Sequence, residues 1–464
     1  MNAGAPARRW KPYPAYKDSG VEWLGKVPEQ WKVLKLKHIV KVNLSNVDKK
    51  TNEGEENVKL CNYIDVYYND CITPDLDFMQ ATASANQIDR FALREGDVII
   101  TKDSESWEDI AVPAYVPADL NGVICGYHLA HIRPNYSHIN GEYLFWSLCA
   151  PRLNHQFRVE AHGITRFGLG KDCIDNSLFL VPPINEQKSI ASFLDRQTAH
   201  LDALISKKER LIDLLEEKRA ALISRAVTKG LDPDVRMKDF GVEWLGEVPD
   251  HWNLKKLKYA AVFFGGGTPS KDIIEYWSGN IPWVSPKDMK SELINDAEDH
   301  INEEAVKNSA TVVIDSGAVI IVARSGILKH TIPVAINIRP LALNQDMKAM
   351  VPKAILKSDY LAYVIRGYQS ALLVEWRKAG ATVESIEHEL LVNTFFPLPT
   401  LSEQHAIASF LDRETARIDA LISKVREGIE KLREYRAGLI SAAVTGKIDV
   451  REAVSGFQAH SDKL

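Results

Sequence analysis

Two stretches of the chain carry apolar residues at the same seven-residue spacing. In the first, Leu194, Leu201, Leu215 and Leu222 keep this period, joined by Leu204, Ile205 and Ile212. The second repeats these positions as Leu411, Ile418, Leu432, Leu439, Leu421, Ile422 and Ile429. Both stretches lack proline and are rich in Ala, Leu, Glu, Lys and Arg, so each predicts one helix of about 43 residues, or roughly 64 Å. A seven-residue period held over four to five heptads predicts that the helices form a coiled coil.

The two stretches are also copies of each other. Residues 186–228 align with residues 403–445 without a gap, and about two thirds of the positions are identical. The identity includes positions expected on the surface, namely Ser206, Lys207 and Arg219, which recur as Ser423, Lys424 and Arg436. Two amphipathic helices that each pack on their own domain are the alternative, but they do not explain a repeated surface. We therefore expect these six residues to bind two copies of one partner.

A second repeat precedes each helix. GVEWLGKVPEQW, beginning at Gly20, returns as GVEWLGEVPDHW at Gly241, and its tryptophans are expected to be packing anchors. Farther along, the resemblance nearly disappears, but GDVII at 96–100 matches GAVII at 317–321 and predicts a buried strand in both copies. The chain is therefore predicted to contain two domains of one fold, built from mixed strand and helix and assigned to the α+β class.

The duplication predicts an alternating order of domains and helices. The predicted segments are an irregular N-terminal arm (1–19), a first variable domain (20–182), a first helix (183–230), a second variable domain (231–399), a second helix (400–446) and a C-terminal tail (447–464). Asn185 and Ser402 follow proline-containing segments and are the predicted N-caps. Two copies of one module form a pseudo-two-fold object, which suits a target with two half-sites.

Composition and charge narrow the class of protein. The chain has 464 residues, of which 45% are hydrophobic, and a net charge of -5 at pH 7, which neither indicates nor excludes nucleic-acid binding. No apolar run approaches about 18 residues and the N-terminus lacks a signal-like core, so we expect a cytoplasmic protein without membrane contact. The five cysteines lie in the first half without counterparts in the second, so we expect free thiols.

Catalytic motifs are missing from the sequence. An adenine methyltransferase needs a glycine-rich cofactor turn and an Asn/Asp-Pro-Pro-aromatic pocket, and an ATPase of the P-loop class needs its glycine-rich loop. Cys125, His128 and His131 are of metal-ligand type, but three-residue spacing on a strand points successive side chains to opposite faces, and the second copy has Leu343 and Ala349 at two of the positions. We therefore expect no catalytic residue, no metal and no cofactor in this chain.

The combined motifs resemble the specificity subunits of type I restriction-modification systems. The resemblance rests on the EQ-x-x-IASFLDR helices, the GVEWLG-x-VP-x-x-W openings and the runs FFGGGTPSK and YWSGNIPWVSPKDM, and it covers residues 20 to about 450. It implies a non-catalytic subunit with two tandem target-recognition domains separated by two conserved helices in an antiparallel coiled coil. In the family, each domain reads one half of a split site in double-stranded DNA. The helices set the spacing and bind two modification subunits, which carry S-adenosylmethionine and methylate adenine.

The resemblance also implies motor restriction subunits, with ATP and magnesium bound on partners and not on this chain. Other interpretations stay open. One is a specificity subunit of a related combined methylation and cleavage system, and another is a coiled-coil scaffold without a DNA role. A methyltransferase or nuclease in its own right is disfavoured by the missing motifs.

Candidate DNA-binding residues have side chains suited to base edges or phosphates and lie beside the repeated segments. About half are expected to be ordinary surface residues; the candidates are Lys102, Asp103, Tyr127, His128, Thr165 and Arg166 in the first domain, and Thr268, Ser270, Lys271, Ser285, Lys287, Arg324, Asn344, Gln345 and Thr382 in the second. In the alignment, Asp103 stands opposite Arg324. A carboxylate accepts from cytosine whereas arginine donates to guanine, so we expect two different half-sites and a non-palindromic target.

Overall fold

The computed structural model describes residues 10–380 and 382–452. The described residues form two compact units, the first within residues 1–208 and 426–464 and the second within residues 209–425. Each unit combines one variable domain with parts of both long helices, α6 (Ile184–Lys229) and α12 (Leu401–Val444).

The first unit has two main sheets and five short helices. The helices are α1 (Tyr63–Tyr67), α2 (Ala85–Phe91), α3 (Gly141–Cys149), α4 (Pro151–Glu160) and α5 (Lys171–Asn176), with 3-10 turns at Leu36–His38 and Trp107–Asp109. The strands are β1 (Tyr16–Asp18), β2 (Lys26–Pro28), β3 (Lys32–Lys35), β4 (Val40–Leu44), β5 (Glu56–Cys61), β6 (Met79–Ala83), β7 (Val98–Thr101), β8 (Asp103–Ser104), β9 (Pro113–Tyr115), β10 (Val123–Cys125), β11 (Leu129–Pro134), β12 (Phe167–Gly168) and β13 (Leu178–Val181). The main sheets have the orders β4-β11-β7-β9 and β10-β5-β6, and the pairs β1-β2, β12-β8 and β13-β3 are separate ribbons.

The second unit is built in the same way. Its short helices are α7 (Leu257–Ala260), α8 (Glu303–Lys307), α9 (Ser358–Gly367), α10 (Gln369–Glu375) and α11 (His388–Asn393), with 3-10 turns at Ile274–Trp277, Pro286–Asp288 and Gly326–Lys329. Its strands are β14 (Met237–Asp239), β15 (Glu247–Pro249), β16 (Asn253–Lys256), β17 (Ala261–Gly265), β18 (Ile281–Val284), β19 (Leu293–Ile294), β20 (Asp299–Ile301), β21 (Val313–Ile314), β22 (Val319–Val322), β23 (Val334–Asn337), β24 (Leu341–Leu343), β25 (Met347–Pro352) and β26 (Phe395–Leu398).

The sheet orders of the second unit repeat those of the first. The order β17-β25-β22-β23 matches β4-β11-β7-β9 and adds β19, whereas β20-β18-β24 matches β6-β5-β10 and adds β21. The pairs β5-β10 and β18-β24 are parallel in both units. The predicted α+β class and the predicted pair of like domains are therefore confirmed.

The repeated motif GDVII/GAVII forms the central strand of each larger sheet. All four residues of β7 and all four of β22 are buried, as predicted. The glycine before each strand, Gly96 or Gly317, has a φ of 84° or 91°. Glycine adopts this left-handed conformation at little cost, which explains why it recurs at the turn.

The long helices pack antiparallel within each unit, as predicted for the coiled coil. In the first unit, Arg436 lies 2.9 Å from Asp202, and in the second, Arg219 lies 3.1 Å from Asp419. Asp202 aligns with Asp419 and Arg219 with Arg436, so one ion pair forms twice. In both cases, a residue early in one helix meets a residue late in the other, which requires opposite helix directions.

Two details of the helix prediction are wrong. Leu204 and Leu421, expected in the seam, are 37% and 44% exposed. Asn185 and Ser402 are not N-caps, because α6 begins at Ile184 and α12 at Leu401. The amide of Glu403 instead donates to the Thr400 hydroxyl at 3.3 Å.

The repeated Glu-Gln pair fixes the start of each long helix on its own domain. The Trp31 indole N–H donates to Glu186 at 3.0 Å, and the Trp252 indole N–H donates to Glu403 at 2.8 Å. The next residue, Gln187, donates to the carbonyl of Pro182 at 2.8 Å and accepts from the amide of Asn140 at 2.8 Å. These bonds explain the EQ motif and the second tryptophan of each opening as structural features.

The remaining tryptophans and the N-terminal arm differ in part from the prediction. Trp23 is 37% exposed, so it is not a fully buried anchor. The arm is not irregular throughout, because β1 pairs antiparallel with β2. Trp10 also meets the edge of Phe193 with the ring centroids 4.8 Å apart. Residues 1–9 of the predicted arm and 453–464 of the predicted tail lie outside the described residues.

A buried charged network distinguishes the first domain from the second. Asp97 and His131 are both fully buried; Asp97 lies 2.8 Å from the His131 Nε2 and accepts from the Arg133 Nε at 2.9 Å. Burial acts to raise the pKa of Asp97, but the hydrogen bonds from His131 and Arg133 outweigh it and hold the pKa below its ordinary value. In the second domain, the aligned positions carry the apolar residues Ala318, Ala349 and Val351.

We predict that Asp97→Asn lowers the free energy of unfolding of the first unit by about 3 kcal/mol at pH 7, because it leaves Arg133 without its buried counter-charge. The folded pKa of Asp97 is lowered, so the stabilisation is complete above the unfolded pKa of about 3.9 and is lost as the pH falls through the folded pKa. Urea unfolding of the full chain at pH 7 and at pH 3 measures this. Asp89→Asn, at a carboxylate whose side chain is 87% exposed, is the control. Equal midpoints for Asp97→Asn and the parent at pH 7 contradict the prediction.

Candidate nucleic-acid interface

In the first unit, four of the predicted DNA-binding residues come together where β7 and β10 end. Asp103 follows the buried strand β7, and His128 lies in the loop between β10 and β11. The Asp103 carboxylate lies 3.0 Å from the His128 Nδ1 and also forms an ion pair with Lys102. The rings of Tyr127 and His128 are in contact, with their centroids 3.5 Å apart and their planes inclined at 43°. The result is a compact cluster of carboxylate, imidazole, ammonium and phenol groups.

An exposed turn continues this cluster. Strand β12 pairs with β8, and Gly168 stands opposite Asp103. Thr165 and Arg166 lie just before β12 and are exposed. The structure therefore places them on the segment that joins the cluster.

A basic cleft borders the cluster on the side of Tyr127. It is lined by three lysines, Lys49, Lys50 and Lys102, together with Tyr127 and three small polar or acidic residues, Ser45, Asn46 and Asp48. Lys49 and Lys50 were not among the candidates predicted from the sequence. Consecutive lysines in a polar stretch were the available signal, but that stretch lies in the diverged region between the repeated segments.

In the second unit, the equivalent loops carry amide, hydroxyl and guanidinium groups. The Thr268 hydroxyl is hydrogen-bonded to Gln345, and Arg324 forms an ion pair with Asp346 at 2.9 Å. The Arg324 side chain is 59% exposed. An isolated bridge between Arg324 and Ser385 brings the exposed turn that contains Thr382 to the same edge.

Other predicted residues of the second unit are engaged within the protein. Ser285 and Asn344 are each 6% exposed. The Ser285 hydroxyl donates to Asp288 at 2.8 Å, and the Asn344 side chain accepts from the amide of Asp346 at 2.9 Å. Both side chains therefore shape the loops from within.

Lys287, Ser270 and Lys271 lie at the exposed side of these loops. Lys287 lies 3.0 Å from both Asp299 and Glu298, and these hydrogen bonds raise its pKa above the ordinary value. The Ser270 carbonyl accepts from the Trp277 indole at 3.1 Å, and Lys271 is exposed. A DNA contact for any of these residues stays a prediction.

The two clusters occupy the same position in the fold but have different charges. The amide of Lys102 donates to the carbonyl of His128 at 3.0 Å, and the amide of Ala323, which aligns with Lys102, donates to the carbonyl of Asp346 at 2.7 Å. This shared bond shows that the two loop pairs are equivalent. At the equivalent side-chain positions, an Asp–His pair (Asp103 with His128) in one unit is replaced by an Arg–Asp pair (Arg324 with Asp346) in the other.

The candidate partner-binding residues fall into two groups. Ser206, Lys207, Ser423 and Lys424 are exposed on the long helices. Arg219 and Arg436 are 25% and 24% exposed at the side chain, and both are held in the ion pairs between the helices. The exposed Leu204 and Leu421 lie two positions before Ser206 and Ser423, so each helix presents the same Leu-x-Ser-Lys surface. A contact with a partner stays a prediction for all of them.

Three further features of the described residues concern disulfide bonds, metal-ligand clusters and membrane-spanning helices. The five cysteines are free, and Cys61 and Cys125 are buried. Residues 10–380 and 382–452 contain no group of three or more His, Cys, Asp or Glu side chains arranged to hold a metal ion. Among the described helices, none is both long and apolar enough to cross a membrane.

The family model for the type I restriction modification DNA specificity domain matches this chain twice, at residues 28–214 and 249–431. Each match covers most of one variable domain and the first part of the adjoining long helix, up to residue 214 of α6 or 431 of α12. This chain belongs to the type I restriction-modification specificity subunits. The resemblance drawn from the repeated motifs is therefore confirmed.

Known specificity subunits match over different lengths. The specificity subunit of the type I restriction enzyme EcoR124I/EcoR124II from Escherichia coli is 38% identical over 206 residues, which are 44% of this chain and 48% of that protein. The chain thus spans about half of that relative. The putative MjaX specificity subunit of Methanocaldococcus jannaschii is 23% identical over 435 residues, 92% of this chain and 96% of that protein.

A solved structure has a similar fold. The similar chain comes from a structural study of complex assembly and conformational transition in the type I R-M system. It superposes on this chain with a TM-score of 0.70 at 18% identity. The superposition covers 91% of this specificity subunit and 99% of that chain. At this identity, the likeness establishes the arrangement of helices and sheets.

Proposed function

We propose that this specificity subunit binds a bipartite, asymmetric DNA site and directs adenine methylation and restriction by its partner subunits, without catalytic residues of its own. The observation that carries the proposal is the exchange of charge between equivalent loops. Two domains of one fold present Asp103 with His128 in one case and Arg324 with Asp346 in the other.

The chemistry of the two clusters supports different half-sites. Arginine donates two hydrogen bonds to the O6 and N7 of guanine, whereas a carboxylate accepts from the amino group of cytosine. The Arg324 side chain is 59% exposed, and its guanidinium has further N–H donors beyond the one in the ion pair with Asp346. In the first domain, the lysines of the basic cleft suit phosphate oxygens, and contacts of that kind position the protein on the duplex. Together these groups read two unlike sequences.

The proposed partners are two modification subunits, which bring S-adenosylmethionine, and motor restriction subunits, which bring ATP and magnesium. The repeated surface of the long helices supports two copies of one partner. Leu204 and Leu421 are exposed at aligned positions beside Ser206 and Ser423. An exposed leucine beside small and basic side chains gives each of the two helices an apolar centre at which a partner can dock.

We predict that Arg324→Ala relaxes the second half-site at a single position, at a cost of about 1 to 3 kcal/mol in binding, because one bidentate base contact is lost. Methylation sequencing of a host carrying the complex measures both half-sites at once. Asp103→Ala is the matched variant and changes the first half-site only. A continuous palindromic motif, or relaxation of both halves by one substitution, contradicts the proposal.

We predict that the chain binds two modification subunits and that Leu204→Asp or Leu421→Asp removes one of them, because a carboxylate in an apolar contact is left unpaired. Light scattering of the co-purified complex measures the stoichiometry, which falls from 1:2 to 1:1 in each single variant and to the free chain in the double variant. Leu214→Asp is the control, since Leu214 is 46% exposed but aligns with Lys431. A parent complex of 1:1, or equal loss in the control, contradicts this docking surface.

A further inference from the structure

An apolar and aromatic turn follows β5 in the first domain. This segment, residues 62–68, consists of the short helix α1 and its two flanking residues, contains Tyr63, Ile64, Tyr67 and Tyr68, and is called the aromatic turn below. Ile64 is 61% exposed and Tyr68 is 76% exposed. A capping box holds the turn, in which the Asn62 amide donates to the Asp65 carboxylate at 2.7 Å. The exposed side chains therefore stand on a fixed backbone.

The aromatic turn is attached to the candidate DNA interface. The Tyr63 hydroxyl lies 3.2 Å from the Ser104 hydroxyl, next to Asp103. The Tyr67 hydroxyl donates to Asp109 at 3.1 Å, on the segment that follows Ser104. Lys49 lines the cleft beside Ile64 and also lines the basic cleft with Tyr127. The apolar surface and the lysines thus form one continuous face.

The second domain has a 3-10 turn, Pro286–Asp288, at the equivalent place in the fold, and its side chains differ. Both turns follow the strand that pairs in parallel with the loop-bearing strand, β5 with β10 and β18 with β24. Both carry a capping box, Asn62 with Asp65 in one and Ser285 with Asp288 in the other. In this alignment Ile64 stands where the second domain has Lys287. One domain presents an aliphatic side chain where the other presents a cation.

Resting on the proposed function, we infer that Ile64, supported by Tyr68, contacts the C5-methyl group of a thymine in the first half-site. In the major groove, the thymine methyl is the feature that an apolar side chain recognises, because the other base edges offer hydrogen-bond donors and acceptors. The lysines beside the turn place this surface next to phosphates. Lys287, at the aligned position of the second domain, provides no such apolar contact.

The test uses the purified complex of the full chain with its modification subunits and a duplex that carries the motif found by methylation sequencing. Deoxyuridine replaces thymine at one position at a time, which removes only the methyl group. We expect that replacing thymine at one position of the first half-site weakens binding by about fourfold, because burial of a group the size of one CH₂ contributes about that factor. In Ile64→Ala, binding of the thymine duplex is weaker and the uracil effect at that position is gone. Tyr68→Ser reduces the same effect.

Two controls separate this inference from the function on which it rests. Tyr136→Ala removes a ring that is 57% exposed beyond the opposite end of β11, and it keeps the full uracil effect. Uracil in the second half-site gives the same response in the parent and in Ile64→Ala. Specific binding without any uracil effect in the first half-site, or an effect that persists in Ile64→Ala, overturns the thymine contact alone. If Ile64→Ala no longer binds the modification subunits, the aromatic turn is a protein-docking surface, and the thymine contact is overturned as well. If the parent complex shows no specific DNA binding at all, the proposed function itself is overturned.

Discussion

The antiparallel pairing of the two repeated helices is the interaction on which the rest of this specificity subunit depends. The ion pairs Asp202–Arg436 and Asp419–Arg219 are partly exposed, and pairs of that kind contribute only about 0.2 to 1 kcal/mol each. Buried seam residues such as Ile205 and Ile422, at 8% and 6% exposure, contribute about 1.5 to 3 kcal/mol each. The apolar seam therefore supplies most of the free energy that holds the two helices together. The ion pairs fix the direction, because they form at aligned positions only when the helices are opposed.

The repeated framework of the two domains carries candidate DNA-binding loops that differ. The strand pairs, the turn glycines and the Glu-Gln junctions are the same in both units, so the backbone that holds the loops is fixed by the shared fold. Asp103 and Arg324 then occupy one position with opposite charge. Asp97 and His131 are buried in the first domain, and the aligned positions of the second domain carry apolar residues, so even the interior beneath the loops has diverged. This combination of a constant framework and diverged loops is what the proposed function requires.

The sequence predicted features that depend on local pattern. Heptad spacing predicted the coiled coil, and a buried apolar run after glycine predicted the central strand, because both patterns follow directly from helix and strand periodicity. The exposure of Leu204 and Leu421 was missed, since a leucine beside the seam satisfies the same spacing as one within it. The cap at Thr400 was missed because two residues near the helix start are of capping type.

The candidate interface was predicted only in part, for a related reason. Residues adjacent to repeated segments, such as His128 and Arg324, were found by alignment. Ile64 and Lys49 lie in segments whose sequences do not align between the two copies, and the hydrogen bond between Tyr63 and Ser104 and the shared cleft bring them to the same face. Contacts between distant, diverged segments are set by the tertiary fold, which the alignment of two copies does not contain.

We propose that the paired helices set the distance between the two half-sites of the proposed DNA target. Insertion of one heptad into both α6 and α12 tests it, because seven residues keep the seam in register and lengthen each helix by about 10 Å, roughly three base pairs. Methylation sequencing of a host carrying the extended chain gives the motif directly. The account predicts that both half-site sequences are unchanged and that the gap between them increases. An unchanged gap, or altered base preference at the old gap, contradicts it.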